Sequence, residues 1–237
     1  PNQAQRPYDD NGHGTHLAGL ISARSNNHLG IGGISNDIHV LPIKVLSQET
    51  VKGQKDIVVG GLAHRVAQGI LYAISRNVDV INLSMGWPKS IDTEFLRSAV
   101  TEAQKRGILV VAASGNNGHS SPIYPCSYSG VLCVASHSVD GLISSFSNYG
   151  AHVDLMAPGE SILSTHPFKI DSTRFNLKGY EIMNGTSQAT ALVSSSMAFI
   201  RGFYPHLPWN TILGKVYLGL QAKSSALPGR LSVQQAL

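Results

Sequence analysis

Three short segments, VDVINLS (78–84), ILVVAAS (108–114) and VLCVAS (131–136), are dominated by apolar, largely β-branched residues with no strict in–out alternation. A strand with one wet face alternates apolar and polar residues, whereas a strand covered on both faces has no need to. Helical patterns separate these runs. Between 57 and 76, Val59, Leu62, Ala63, Val66, Ala67, Ile70, Leu71 and Ile74 make one apolar stripe at helical spacing, and a second helix over 92–105 leads to Gly107. Doubly buried strands alternating with helices predict an α/β fold: three layers, α/β/α, around a mostly parallel sheet. Residues 38–46, IHVLPIKVL, read as a further strand, 13–23 as a helix after the polar Asp9-Asp10-Asn11-Gly12, and 187–203 as a mostly buried helix rich in small residues.

The 237 residues contain no repeat, low-complexity tract or linker, so 1–237 reads as one domain. Charged residues are only 14% of the chain, against 42% hydrophobic, which argues for a large core and against disorder. The net charge of +4 comes from scattered basic residues without a run of five, so no nucleic-acid partner is expected. No apolar stretch approaches the length of a membrane span. Cys126 and Cys133 suit either a short disulfide or a pair of core thiols, with the disulfide favoured for an exported protein; they are too few for a metal site. The first residue is Pro1 rather than Met, which predicts a processed product or a segment.

Chemistry concentrates in three places. Asp10-Asn11-Gly12-His13-Gly14-Thr15-His16-Leu17-Ala18-Gly19 sets a histidine between glycines that leave room around its ring. Ala112-Ala113-Ser114-Gly115-Asn116-Asn117-Gly118 follows a buried strand at its carboxyl end, where α/β proteins place ligand sites. Asn184-Gly185-Thr186-Ser187-Gln188-Ala189 opens a helix, so a hydroxyl there sits among free backbone N–H donors at the positive end of the helix dipole. Each segment alone has an ordinary explanation: a packed histidine, a turn asparagine, a helix cap. Zinc is disfavoured, because His13 and His16 are three apart and Gly14 stands where the metalloprotease pattern wants Glu.

Order sorts the hydrolase types. An α/β-hydrolase runs serine, acid, histidine, but no Asp or Glu follows Glu181, so Ser187 cannot head that series. The chymotrypsin order is available, but that fold is an antiparallel barrel, against the α/β alternation here.

Together the three segments resemble the subtilisin-like serine proteases. The likeness extends over nearly the whole chain, through Val80-Ile81-Asn82-Leu83-Ser84-Met85-Gly86, Asp154-Leu155-Met156-Ala157-Pro158-Gly159 and the Pro205-to-Trp209 region. It implies an endopeptidase acting on polypeptide through an acyl-enzyme, with Ser187 as nucleophile, His13 as general base, and the Asn116 side chain with the Ser187 N–H as oxyanion hole. It implies that Ser84, Met85 and Gly86 pair with the substrate backbone, and that Ala113, Ser114, Gly115 and Asn117 border a neutral pocket for the residue before the cut, favouring an apolar or uncharged side chain. Asn26-Asn27-His28-Leu29-Gly30-Ile31-Gly32-Gly33 resembles the family's calcium loop, with Asn27 giving its side-chain oxygen and Leu29 and Ile31 their carbonyls to a structural Ca2+. No redox or organic cofactor is implied. An inhibitory propeptide, secretion and a cis peptide at Tyr124-Pro125 are further implications of the resemblance.

One motif of the family does not occur: the aspartate that ends a buried strand some thirty residues before the histidine. Asp9 and Asp10 are the only acids before His13, and Asp10 reads as a helix-start or capping residue. The expectation is an N-terminal strand missing from this chain, with a separate N-terminal fragment carrying the catalytic Asp; the alternative is a pseudoprotease that binds peptides or regulates a partner. Around the serine, the family's Met and Pro are replaced by Gln188 and Ala191.

Overall fold

The structure, a computed structural model, describes residues 8–46, 57–167, 179–218 and 229–230. In chain order the elements are α1 (His13–Ser22), α2 (Ile57–Ser75), β1 (Val80–Leu83), α3 (Glu94–Lys105), β2 (Leu109–Ala113), β3 (Leu132–His137), β4 (Leu155–Pro158), β5 (Ile162–Thr165), β6 (Tyr180–Met183), α4 (Thr186–Phe203), α5 (Trp209–Leu218) and β7 (Gly229–Arg230). Five strands form a parallel sheet in the order β1-β2-β3-β4-β7, and β5 pairs antiparallel with β6.

The parity of the strands divides the core into two. Val110 and Ala112 of β2 and Cys133 and Ala135 of β3 face a cluster built with Ala63, Val66, Ala67 and Ile70 of α2 and Leu96, Ala99, Val100 and Ala103 of α3. Leu109 and Val111, with Leu132 and Val134, face the other way onto Val193, Met197 and Ile200 of α4 and Ile212 and Val216 of α5. This is the expected three-layer α/β/α arrangement, and it explains why the strands lack a polar face. Within the α2 stripe, Leu71 turns out exposed and Ala73 takes a buried place. The side chain of Val59 lies outside the described residues.

The expected strand at 38–46 is corrected. Those residues form no strand. Their alternation survives, because Ile43 and Val45 pack on α2 beside Gly69, where an added Cβ would meet Val45 Cγ1 at 2.9 Å and Ile43 Cγ2 at 3.3 Å. What the segment lacks among the described residues is a strand partner for its backbone, and a strand is defined by pairing. Among the described residues β1 pairs only with β2, so its other edge is open.

Cys126 and Cys133 are joined as a disulfide, and both are buried. The Tyr124–Pro125 peptide is cis. Within the described residues, no helix is long and apolar enough to cross a membrane.

Candidate active site

The site gathers at the carboxyl ends of β1 and β2 and the amino end of α4. Ser84 follows β1 directly, and reciprocal hydrogen bonds tie it to Ser187: the Ser187 hydroxyl donates to the Ser84 carbonyl at 3.1 Å, and the Ser84 hydroxyl donates to the Ser187 carbonyl at 2.8 Å. A second tie, Ser194 Oγ to Asn82 Oδ1 at 2.9 Å, holds α4 along β1. Ser187 is thus fixed, half-buried, in the first turn of an 18-residue helix.

Asn116 enters from the end of β2. Its Oδ1 accepts from both the backbone N–H and the hydroxyl of Thr186, each at 2.9 Å. Two donors on the oxygen settle which end of the amide is which, and leave Nδ2 to face outward as a donor. A Cβ built on Gly185 would lie 3.4 Å from that Nδ2 and 3.6 Å from the Ser187 nitrogen. Both donors are therefore close neighbours of Gly185, at the end of β2 and the start of α4.

His13 begins α1. Leu17 and Leu20 of α1 pack on Ala191 of α4, which brings the starts of the two helices together. Burial pushes the His13 imidazole below its usual value, against an upward pull from the nearby Asp9 carboxylate. Among the described residues the ring has no hydrogen-bond partner.

Here the structure corrects the expectation for Asp10. The cap is Asp9: its Oδ1 accepts from the N–H groups of Asn11 (3.0 Å) and Gly12 (2.8 Å), and its Oδ2 from the N–H and hydroxyl of Thr15, both at 2.7 Å. Burial raises the Asp9 pKa, but these bonds, the Thr15 hydroxyl foremost, outweigh it and bring it to about 2. Asp10 instead pairs with Lys44 at 2.7 Å, beside the segment that packs on α2. Asp9 is fully engaged as a cap, and so is not free to orient His13.

The residues expected to border the substrate lie together. Ser114 is buried, its hydroxyl on the Asn148 carbonyl, while Asn148 Oδ1 accepts the N–H of Asn117 at 2.9 Å. Gly86 sits opposite Ala113 and Gly115 across Ile123. A Cβ on Gly86 would meet Ile123 Cγ2 at 2.5 Å, and one on Gly115 would meet Ile123 Cδ1 at 2.3 Å. Ile123 therefore fills the space between the two edges of the expected pocket. Sequence reasoning missed Ile123, Thr186 and Asn148, because nothing in the local pattern says that loop 117–125 folds back under the strand ends. Met85, half-buried, stands between Ser84 and Gly86.

The zinc alternative has no support. His16 Nε2 lies 3.1 Å from both the Ile162 and the Glu181 carbonyl, and no cluster of three metal-ligating side chains occurs among the described residues. In the loop at 26–33, left-handed Asn26, His28 and Gly30 (φ 59°, 60° and 54°) curl the chain, and Asn27 Oδ1 already accepts the Leu29 N–H at 3.0 Å. Asn27, Leu29 and Ile31 offer three oxygens and the loop holds no carboxylate, whereas calcium takes six to eight oxygens. They fit part of a calcium site, and the rest must come from elsewhere.

Residues 1–224 match the model of the peptidase S8 family, described as the subtilase family. Over 200 residues the chain is 40% identical to the major intracellular serine protease of Bacillus subtilis (strain 168), covering 82% of this chain and 56% of that protein. It is 37% identical over 217 residues to a thermostable alkaline protease of Halalkalibacterium halodurans, covering 90% and 54%. The chain thus spans about half the length of these curated relatives. Among solved structures, a mutant of the protease domain of PatA superposes with a TM-score of 0.79 at 26% identity, covering 95% of this chain and 78% of that one. MycP1 with its N-terminal propeptide removed has the same fold, with a TM-score of 0.79 at 24% identity, covering 97% and 80%. Fold, site geometry and sequence agree that the chain belongs to the subtilase family.

Proposed function

We propose that this chain is the larger part of a serine endopeptidase, in which His13 takes the proton of Ser187 as the Ser187 oxygen bonds to the scissile carbonyl carbon. Asn116 Nδ2 and the Ser187 N–H hold the resulting oxyanion. His13 then gives the proton to the leaving amine as the C–N bond breaks, and water releases the acyl group by the same route. The observation that carries this reading is the nearness of two donors, Asn116 Nδ2 and the Ser187 nitrogen, to Gly185 beside a serine at a helix start. Ser84, Met85 and Gly86 would receive the substrate backbone, and Ala113, Ser114, Gly115 and Asn117 its side chain before the cut, in a pocket that Ile123 keeps shallow.

The catalytic acid, in this reading, comes with an N-terminal fragment whose strand lies between β1 and residues 38–46. Three observations support it, each among the described residues: the open edge of β1, the 38–46 segment that packs on α2 without a strand partner, and the His13 ring without a hydrogen-bond partner. The same unpartnered ring is what a peptide-binding pseudoprotease would show. Native mass spectrometry of the purified protein, with a peptide-hydrolysis assay on the same sample, separates the two. The expected result is a bound fragment, or a continuous upstream stretch, bearing an aspartate whose change to Asn lowers kcat by about 10⁴, the size known for serine proteases. A chain that hydrolyses peptides at full rate while folded and alone would refute the supplied acid, and a bound fragment with no hydrolysis would favour the pseudoprotease.

Calcium at the 26–33 loop would be structural, held partly by Asn27, Leu29 and Ile31. An inhibitory propeptide and a secreted or extracytoplasmic location complete the reading. The buried Cys126–Cys133 disulfide favours export.

A further inference from the structure

Residues 114–119 carry Asn116 from the buried end of β2 out into solvent. Ser114 is buried, Gly115 half-buried, and 116–119 are exposed. Gly115 and Gly118 stand in the left-handed region, at φ 102° and 67°, so the run turns at two residues that hold no conformation by themselves. With little packing to fix it, such a segment depends on hydrogen bonds for its shape.

Those bonds come from one stretch, Phe146-Ser147-Asn148-Tyr149, and chiefly from Asn148, which is 0% exposed. The Asn148 N–H donates to the Gly115 carbonyl at 2.9 Å, and the Asn148 carbonyl accepts the Ser114 hydroxyl at 3.2 Å. Its side-chain Oδ1 accepts the N–H groups of Asn117 at 2.9 Å and His119 at 3.4 Å. The Phe146 carbonyl accepts the Gly118 N–H at 2.8 Å, and the Tyr149 N–H donates to the His119 carbonyl at 3.2 Å. The stretch is itself anchored on β3, where Ser147 Oγ accepts the Ser136 N–H and donates to the Asn148 carbonyl, both at 3.0 Å. Residues on both sides of Asn116 are thus bonded to 146–149, while Asn116 turns away to Thr186.

We propose that Asn148 is a positioning residue for the oxyanion donor, a role that rests on the serine-endopeptidase reading: its amide oxygen fixes the chain just after Asn116, so that the Asn116 amide is held from both flanks. Before Asn116 the chain is fixed by the main chain of Asn148, in bonds that do not depend on the side chain. After Asn116 it is fixed by Oδ1. Two N–H donors on that oxygen settle which end of the amide is which, and leave Nδ2 buried with no hydrogen-bond partner among the described residues. An unpaired buried donor weakens a fold. A side chain present only to fill this space would do better without the amide, so the oxygen is its useful end. Displacing a catalytic group by about 1 Å can cost about a hundredfold in rate, and because the main-chain bonds remain, losing the oxygen alone should cost about tenfold.

Kinetics on one peptide substrate test this in the assembled protein, with Asn148→Leu and Asn116→Leu made singly and together. Asn148→Leu keeps the shape of the side chain and removes the amide. Its Tm should stay within about 4 °C of native, because the orphaned donor disappears with the acceptor, and the two freed N–H groups lie in exposed residues that water reaches. The value of kcat should fall about tenfold in the otherwise native protein, and by less than about twofold where Asn116 is already Leu, since no donor is left to position. Native kcat in Asn148→Leu, or an equal fall in both backgrounds, overturns the proposal and leaves the peptidase reading intact. Asn148→Ala, which only shortens the side chain, gives the same comparison if the leucine variant unfolds; loss of the fold in both makes Asn148 a structural residue and likewise overturns the proposal. No hydrolysis by the parent protein rejects the peptidase reading, and native kcat in Asn116→Leu rejects the oxyanion donor; the positioning role falls with either.

Discussion

Thr186→Val is the sharpest perturbation of the oxyanion geometry, because it exchanges one hydroxyl for a methyl at a fully buried position. The hydroxyl serves twice: it donates to Asn116 Oδ1 at 2.9 Å and accepts the Gly115 N–H at 3.3 Å. Its loss leaves that part-buried N–H without a partner, a cost of about 1–3 kcal/mol. For a chain of this length each kcal/mol is worth about 2–4 °C, so Tm should fall by about 2–12 °C. The Thr186 N–H still holds Asn116, so the amide is loosened rather than lost, and kcat should drop about tenfold with KM little changed. Asn116→Leu, which removes the donor outright, should cost about a hundred- to a thousand-fold in kcat, the size known for an oxyanion-hole donor in subtilisin. Thr186→Ser restores the hydroxyl and should recover both values. Steady-state kinetics on one peptide substrate and thermal unfolding of the three variants decide it. Native kcat in Thr186→Val, or a loss in KM alone, would refute the claim that Thr186 sets the oxyanion donor.

Other outcomes follow from the same contacts. Ile123→Gly should open the pocket between Gly86 and Gly115 and shift preference before the cut from small toward large apolar side chains, read from a peptide library; an unchanged profile would remove Ile123 from the pocket. Asp9 titrates below its unfolded value of 3.8, at about 2, so its cap contributes stability above pH 4 that is lost as pH falls toward 2. Because Asp9 is only half-buried, solvent screening holds the effect to about 1 kcal/mol, and denaturant titrations of Asp9→Asn should show a correspondingly shallower acid limb. Reduction of the Cys126–Cys133 disulfide, which closes a loop of seven-residue separation, should cost about 2–3 kcal/mol and be visible as a lower Tm under reductant.

The layers of the fold were legible because the strands are apolar on both faces and α2 carries a clean stripe. Segment 38–46 was misread because alternation reports which face a segment buries, not whether its backbone finds a partner. At the site, His13, Asn116 and Ser187 were singled out only by the joint resemblance of their three segments to the subtilisin-like proteases, since each segment alone has an ordinary explanation. What supports them could not. Thr186 reads as a helix cap, yet its decisive bonds reach Asn116 and Gly115, some seventy residues away in sequence. Asp9 and Asp10 are adjacent carboxylates, and only the turn at Asn11-Gly12 decides which one caps α1 and which meets Lys44.

Reaction of the assembled protein with a fluorophosphonate, followed by peptide mass mapping, puts the mechanism to its plainest trial. One equivalent should attach at Ser187, His13→Ala should slow that attachment by several orders of magnitude, and Ser187→Ala should abolish it. Stoichiometric labelling at another residue, or labelling of Ser187 indifferent to His13, would mean that the imidazole and the hydroxyl do not work on a common carbonyl.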